Sequence, residues 1–237
     1  MSLSEVEVAL IALAKGDFVV VADDDSRENE GDLIIAAERV TSEKLAFMLR
    51  HTSGVVCVAL TEARADELLL PLMVPENSES QQTAFTVSVD YRHGTTTGIS
   101  AHDRSAAIRA LAIPAVGPRS FLRPGHVFPL RARGGGVLER RGHTEAAVDL
   151  VRLAGFEPAG ALCEIVDDEG ELLRGAALER FARRHGLPLL HIDELVEYRR
   201  ATSDAGRFAE REDCAVAARV RSARNQEILP ADLPISR

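Results

Sequence analysis

Apolar residues recur along this chain in two rhythms. In "SEVEVALIALAKG", Val6, Ala9, Leu10 and Leu13 share one face of a 3.6-residue period. Ser4 and Glu7 have the spacing of a capping box and Gly16 ends the segment, so the stretch predicts a helix. "FVVVA" (Phe18–Ala22) and "LIIAA" (Leu33–Ala37) are apolar throughout and predict buried strands. Thr41 to Arg50 predicts a helix, Gly54 to Leu60 a buried strand, and Thr61 to Leu70 a further helix. After the polar loop "PLMVPENSESQQ", the alternation in "AFTVSVD" predicts a half-buried strand with Phe85, Val87 and Val89 inward.

Ser100 and Asp103 can cap a helix reaching about Ala112, and a Pro-rich connection leads to the strand "HVFPLRA". "GGG" breaks the chain before a helix from Thr144 to Ala154, closed by Gly155. "ALCEIV" predicts a strand, "DDEG" a turn, "GAALERFARRHG" a helix, "LPLLHI" a strand and "DELVEYRR" a last helix. Strands and helices alternate irregularly, with at least one hairpin. That pattern predicts a single domain with a mixed sheet and helices on its faces. From Ala201 onward the apolar pattern fades, which predicts a loosely structured or specialised tail.

Composition narrows the function. The net charge of −9 argues against nucleic acid or an anionic membrane as partner. No apolar run is long enough for a transmembrane helix, and no basic segment followed by an apolar one suggests a secretory signal. Cys57, Cys163 and Cys214 are odd in number and far apart, which suits a reducing cytoplasm and rules out a thiolate zinc site.

Between the first two strands stands "DDDSRENEGD", with six carboxylates in ten residues: Asp23, Asp24, Asp25, Glu28, Glu30 and Asp32. An acidic run of this kind is either a solvated loop or a cation site. It fails the EF-hand pattern, because from Asp23 the sixth position is Glu28 where that loop needs Gly. A cation here would need ligands from elsewhere, His143 among them. In "RRGHTEAAVDL", Arg140, Arg141, Gly142 and Thr144 precede or open a helix, where free N–H groups favour an anion. The alternative is Thr144 as an ordinary N-cap beside two solvated arginines. Glu164 shares a strand face with Leu162 and Val166, an apolar setting suited to proton transfer; its alternative is an edge position facing water. His126, opening an apolar strand, is either satisfied by a backbone carbonyl or an acid–base group. Cys57 reads as a small buried residue.

Four segments in register resemble the 3,4-dihydroxy-2-butanone 4-phosphate synthase family: "DDDSRENEGDLIIAAE", "TAFTVSVDYRHGTTTGISAHDR", "RPGHVFPLRARGGGVLERRGHTEAAVDLVRLAG" and "PAGALCEIVDDEGEL". The resemblance runs from about Leu3 to about Arg200. It implies an α+β fold, a three-layer αβα sandwich around a mixed sheet, in a homodimer with its active site near the subunit interface. It further implies a cytoplasmic lyase that converts D-ribulose 5-phosphate to L-3,4-dihydroxybutan-2-one 4-phosphate and formate on the route to riboflavin. The implied cofactor is Mg2+ or Mn2+, two ions per site. Glu28 and His143 match the metal ligands, Arg27 and Asp32 substrate-binding groups, and Arg140, Gly142 and Thr144 the phosphate-binding group, with Arg141 beside them. Glu164 and His126 match essential catalytic residues.

Chemistry read from the residues agrees with this. A ketose with adjacent oxygens can chelate a hard cation, and its phosphate explains a basic cradle in an acidic chain. The acidic loop becomes a candidate lid, loosened by self-repulsion until cation and substrate neutralise it. Ala22 and Ser26 stand where relatives often carry acids. Many relatives continue into a cyclohydrolase domain with zinc-binding cysteines; residues 201–237, with Cys214 alone, predict a tail and no second catalytic domain. Two competing functions are a non-catalytic metal-dependent phosphosugar binder using the same pocket, and a nucleotide-binding enzyme related only by fold. No G-x-x-x-x-G-K-[ST] loop supports the latter.

Overall fold

The computed structural model describes residues 3–204, 219, 220, 222 and 223. Helix α1 (Glu5–Ala14) starts with the expected capping box, in which the Ser4 side chain accepts from the Glu7 N–H and Glu7 reaches back to the Ser4 N–H. Gly16 follows it with φ of +82°, a conformation that glycine adopts without a Cβ penalty. Strands β1 (Val19–Ala22) and β2 (Gly31–Ala36) form an antiparallel pair around the acidic loop. Next come α2 (Ser42–His51), β3 (Cys57–Thr61), α3 (Glu62–Glu67), β4 (Val89–Tyr91) and α4 (Ala101–Ala112). The chain continues through β5 (Phe121–Ala132), α5 (His143–Leu153), β6 (Ala159–Glu164), α6 (Gly175–His185), β7 (Leu189–His191) and α7 (Ile192–Asp204).

The seven strands form one mixed sheet in the order β4-β5-β3-β6-β2-β1-β7. β3 runs parallel to β5, and β1 to β7, while the other neighbours are antiparallel. Successive strand residues point to opposite faces, and both faces are covered. Val20, Leu33, Ile35 and Val58 pack on Leu45 and Met48 of α2, Ile108 and Leu111 of α4, and Phe181 of α6. Val19, Val21, Ile34 and Leu162 pack on Leu10 and Leu13 of α1, Leu150 of α5 and Leu195 of α7. Burying each such Leu or Ile contributes about 1.5–3 kcal/mol. The αβα sandwich expected from the resemblance is therefore the observed fold.

Three expectations need correcting. The stretch "AFTVSVD" is not a regular strand: only Val89 onward is in β4, and Phe85 and Thr86 make isolated bridges. Of the two bridge residues the buried one is Thr86, whose N–H and hydroxyl both donate to the Pro129 carbonyl. Pro129 in β5 has no N–H to return, so the ladder cannot continue past it. α5 begins one residue early, with Gly142 and not Thr144 as its N-cap. Finally, the strand expected from His126 starts earlier, at Phe121, within the Pro-rich connection; α7 runs to Asp204, and Val220 and Ala223 are buried among side chains of α1, α5 and α7. The remainder of the expected tail lies outside the described residues.

Candidate active site

The β1–β2 pairing brings Val21 opposite Asp32, and the β2–β6 pairing brings Asp32 opposite Glu164. Directly opposed residues share a sheet face, so Asp32 and Glu164 stand side by side at one end of the sheet. The acidic loop folds over this end and is organised by one of its own acids. The buried Asp23 carboxylate accepts from the Glu28 N–H at 3.0 Å, the Glu30 N–H at 2.9 Å and Arg27 Nη1 at 2.9 Å. Arg27 also pairs with Glu28. The loop is thus a hydrogen-bonded turn centred on Asp23, and not a bare run of repelling charges.

His143 comes from the opposite direction, on the first turn of α5. Its Nε2 lies 3.2 Å from the Val21 carbonyl, which fixes the ring, and Nδ1 lies 3.7 Å from Glu28 Oε2. Two groups of potential ligands share it: Asp23, Glu28 and His143, and Glu30, Asp32 and His143. In each group the ligand atoms lie within 4.8 Å of one another.

Too many carboxylates meet too little positive charge here. Burial, and then the neighbouring carboxylates, push Asp32 up to about 8. Burial and Glu28 push Glu30 up to about 7. Burial works the other way on His143, but Asp32 and Glu28 outweigh it and hold the imidazole above its ordinary value. Glu28 is raised by burial, yet His143 and Arg27 keep it below the usual carboxylate range. Asp32 Oδ1 is buried with no hydrogen-bond partner. An orphaned carboxylate oxygen beside a histidine nitrogen suits a hard divalent cation, which prefers oxygen ligands.

The other expected site residues are distributed differently. Glu164 is half-buried, and its carboxylate accepts from the Ser53 hydroxyl; its setting is polar, with Asp32 beside it, and not the apolar one expected. The strand ends here, so the residue faces the loop cluster where an interior position would face the core. Arg140 is held by the buried Glu145 at 2.7 Å, the Gln81 carbonyl at 3.0 Å and the Thr83 hydroxyl at 3.0 Å. Gly142 lies against that pair, and a Cβ there would lie 2.2 Å from Arg140 Nη1, so a side chain at 142 would displace the guanidinium. Thr144 is buried in the first turn of α5, while Arg141 is exposed and pairs with Asp193. His126 lies two residues before Phe128, and Phe128 pairs with Cys57, which in turn pairs with Leu162. His126 therefore lies just before the β5–β3 pairing, where β5 slips in register against β4. It is bonded to Asp90. Cys57 and Cys163 are buried, and burial pushes the Cys163 thiol up to about 12, so both are packing residues.

Reading the residues alone singled out neither Asp23 as the loop's hub nor Ser53, Asp90 and Glu145 as the groups that hold Glu164, His126 and Arg140. Glu145 follows Thr144 directly, and an acid in a helix's first turn was the one available signal.

Comparison with known proteins is consistent along nearly the whole described domain. Residues 7–198 match the family model for 3,4-dihydroxy-2-butanone 4-phosphate synthase. The enzyme of that name from Pelobacter propionicus is 55% identical over 199 residues, covering 84% of this chain and 85% of the relative. That from Agrobacterium fabrum is 54% identical, covering 84% and 93%. The riboflavin biosynthesis protein RibBA of Salinispora arenicola is 56% identical over 83% of this chain but only 47% of its own length. A crystal structure of 3,4-dihydroxy-2-butanone 4-phosphate synthase in complex with two magnesium ions superposes with a TM-score of 0.82 at 52% identity, covering 85% of this chain and 99% of that one. A cation-free form gives 0.79 at 51% identity, covering 85% and 100%. By sequence and by fold, this chain belongs to the 3,4-dihydroxy-2-butanone 4-phosphate synthase family.

Proposed function

We propose that this protein converts D-ribulose 5-phosphate to L-3,4-dihydroxybutan-2-one 4-phosphate and formate, with magnesium or manganese. The observation that carries the reading is the pair of ligand groups sharing His143, set against the Asp32–Glu164 pair. Glu28 and His143 would hold the metal, with Asp23, Glu30 and Asp32 positioned to complete one or two sites. When bound, a divalent cation supplies positive charge that makes a proton beside the ketose carbonyl easier to remove.

The chain's own groups supply the rest. Asp32, buried beside Glu164 with one oxygen left without a partner, is placed to hold the metal or a substrate oxygen. Glu164, with one oxygen fixed by the Ser53 hydroxyl, keeps the other for proton transfer. Arg27 sits at the loop's inner edge, where its pairing with Glu28 can be exchanged for a substrate oxygen. The N-terminus of α5 carries no side-chain cap, so its first N–H groups, with Thr144, suit the phosphate. Arg140 and Arg141 add positive charge there; Arg140 does so while anchoring Gln81 and Thr83. His126 completes the set of proton-transfer groups.

A homodimer agrees with the exposed apolar side chains around the β4 edge of the sheet, Leu69, Ile99 and Leu122. Light scattering on the purified protein tests it. Among the described residues no helix is long and apolar enough to cross a membrane, and we place the enzyme in the cytoplasm with no nucleic-acid partner. The decisive experiment is incubation with ribulose 5-phosphate and magnesium, with formate followed by proton NMR. Formate that appears with metal and stops with chelator supports the reading; its absence under both conditions overturns it.

A further inference from the structure

The segment "VDYRHGTTTGISAHDR" contributes no member of the two ligand groups, and it contains Asp90, the partner of His126. Asp90 uses both carboxylate oxygens on His126: Oδ1 accepts the His126 backbone N–H at 2.9 Å, and Oδ2 lies 2.9 Å from the ring Nδ1. The backbone is shaped to allow this. Pairing between β4 and β5 slips between Val89 and Asp90, so Val89 opposes Val127 while Asp90 opposes Leu122. Residues 123–126 of β5 fall in this slip, an irregularity of the kind that re-aims side chains. Gly125 there passes so close to β4 that a Cβ would lie 2.0 Å from the Val89 carbonyl carbon. Gly98, at φ +90°, covers Asp90 from the other side, where a Cβ would meet Oδ2 at 2.1 Å. Arg104 is buried close enough to feel the Asp90 charge.

From this geometry we propose that Asp90 is a positioning residue for His126, holding the proton on Nδ1 so that Nε2 is the nitrogen that exchanges protons with substrate. An ionised carboxylate only accepts, so the ring nitrogen facing it must carry the hydrogen and the other is left free. The His126 side chain is 42% exposed, and tying down so exposed a ring adds little stability. Orientation is the effect that remains. When Nε2 takes a proton the ring becomes an imidazolium beside the Asp90 carboxylate, and returning that proton restores the starting state; Asp90 itself is never protonated. This proposal rests on the reading of His126 as a proton-transfer group.

The test has a spectroscopic arm and a kinetic arm, both on the full chain with magnesium. In protein labelled with 15N-histidine, with His126 assigned by its loss in H126Q, long-range 1H–15N correlation at a pH where the ring is neutral should show the Nδ1–H tautomer. An Nε2–H tautomer overturns the proposal, whether or not any Asp90 variant folds. In Asp90→Asn, the amide oxygen can still take the His126 backbone N–H, but the NH2 then faces the ring and forces the proton onto Nε2. The turnover number should fall about 10²-fold or more, with KM changed by less than about threefold. D90N with near-normal turnover beside an inactive H126Q overturns the Asp90 role alone. H126Q with full activity overturns the role of His126, and the Asp90 proposal with it, while leaving the metal-dependent reaction standing.

Discussion

Asp32 and Glu164 face each other across the β2–β6 ladder, two acids at directly opposed positions of one sheet. Like charges placed so are destabilising, by about 0.2–1 kcal/mol even at ordinary exposure. Asp32 is in addition buried, and burial pushes it up to about 8. An acid raised in the folded state adds stability below its unfolded value of 3.8, and that stability is lost as pH rises toward 8. In chelator, Asp32→Asn should therefore melt at or above the wild type, with the gap widening between pH 5 and pH 8. About 1 kcal/mol corresponds to roughly 2–4 °C for a chain of this size. Calorimetry across pH checks this; a lower melting temperature for the variant throughout would mean that Asp32 is a structural residue.

Metal binding should be tied to protons with a definite sign. Asp32 and Glu28 hold His143 protonated in the metal-free protein against the effect of burial. A metal ligand must be the neutral imidazole, so binding expels that proton and apparent magnesium affinity rises with pH, by up to about tenfold per unit. Titration calorimetry in buffers of different ionisation enthalpy should report proton release. Glu28→Ala and His143→Ala should lose both metal binding and turnover while remaining folded. Affinity that is flat from pH 6 to 9 would remove His143 from the ligand set.

Glu164 and Arg140 should separate chemistry from binding. Glu164→Gln keeps the acceptor for the Ser53 hydroxyl but cannot carry a proton, so turnover should fall by about 10²-fold or more at similar KM. Arg140→Ala removes a charge near the proposed phosphate site, and with it three bonds to Glu145, Gln81 and Thr83. Its KM should rise, by about 1.5–3 kcal/mol in kcat/KM, and amide exchange should quicken around Gln81–Thr83. Turnover and KM for both variants decide the assignment.

The acidic loop should respond to its hub. Replacing Asp23 by Ala removes the acceptor for the Glu28 and Glu30 N–H groups and for Arg27. Each lost bond to a charged group is worth about 1.5–3 kcal/mol locally. Amide exchange over residues 24–30 should therefore accelerate in the variant. In the wild type it should slow when magnesium and substrate are added, as a closing lid would. Identical wild-type exchange with and without ligands would make the loop a static turn.

Acid stability should depend on a second histidine, outside the two groups of potential metal ligands. His51 packs against Phe47, Phe181 and His185. Burial, then the charges of His185 and Arg50, hold it below its ordinary value of 6.5. A histidine lowered in the folded state leaves stability intact above its unfolded value and withdraws it as pH falls through the folded one. The melting temperature should drop below about pH 6.5, and His51→Phe should flatten that part of the profile. An unchanged slope would assign the acid lability to other groups.

The amino-acid pattern alone was enough for the element order, because burial on both faces leaves uniform apolar strands and amphipathic helices that need no knowledge of partners. The acidic loop and the basic helix start stood out for the same reason: local charge density is visible without a fold. Short motifs in register carried the family. Strand neighbours were not legible. That Asp32 meets Glu164, from a strand far along the chain, follows from the β2–β6 register, and it changes Glu164 from an apolar position into a polar one. The alternation at Phe85–Asp90 misled because Pro129, on another strand, removes the donor that a ladder needs there. Arg140 looked like a free cation until Glu145, Gln81 and Thr83 were brought around it. Residue type is a property of the sequence, whereas protonation and partnership depend on which charges and donors the folded chain gathers within a few ångströms, and only the tertiary structure fixes that.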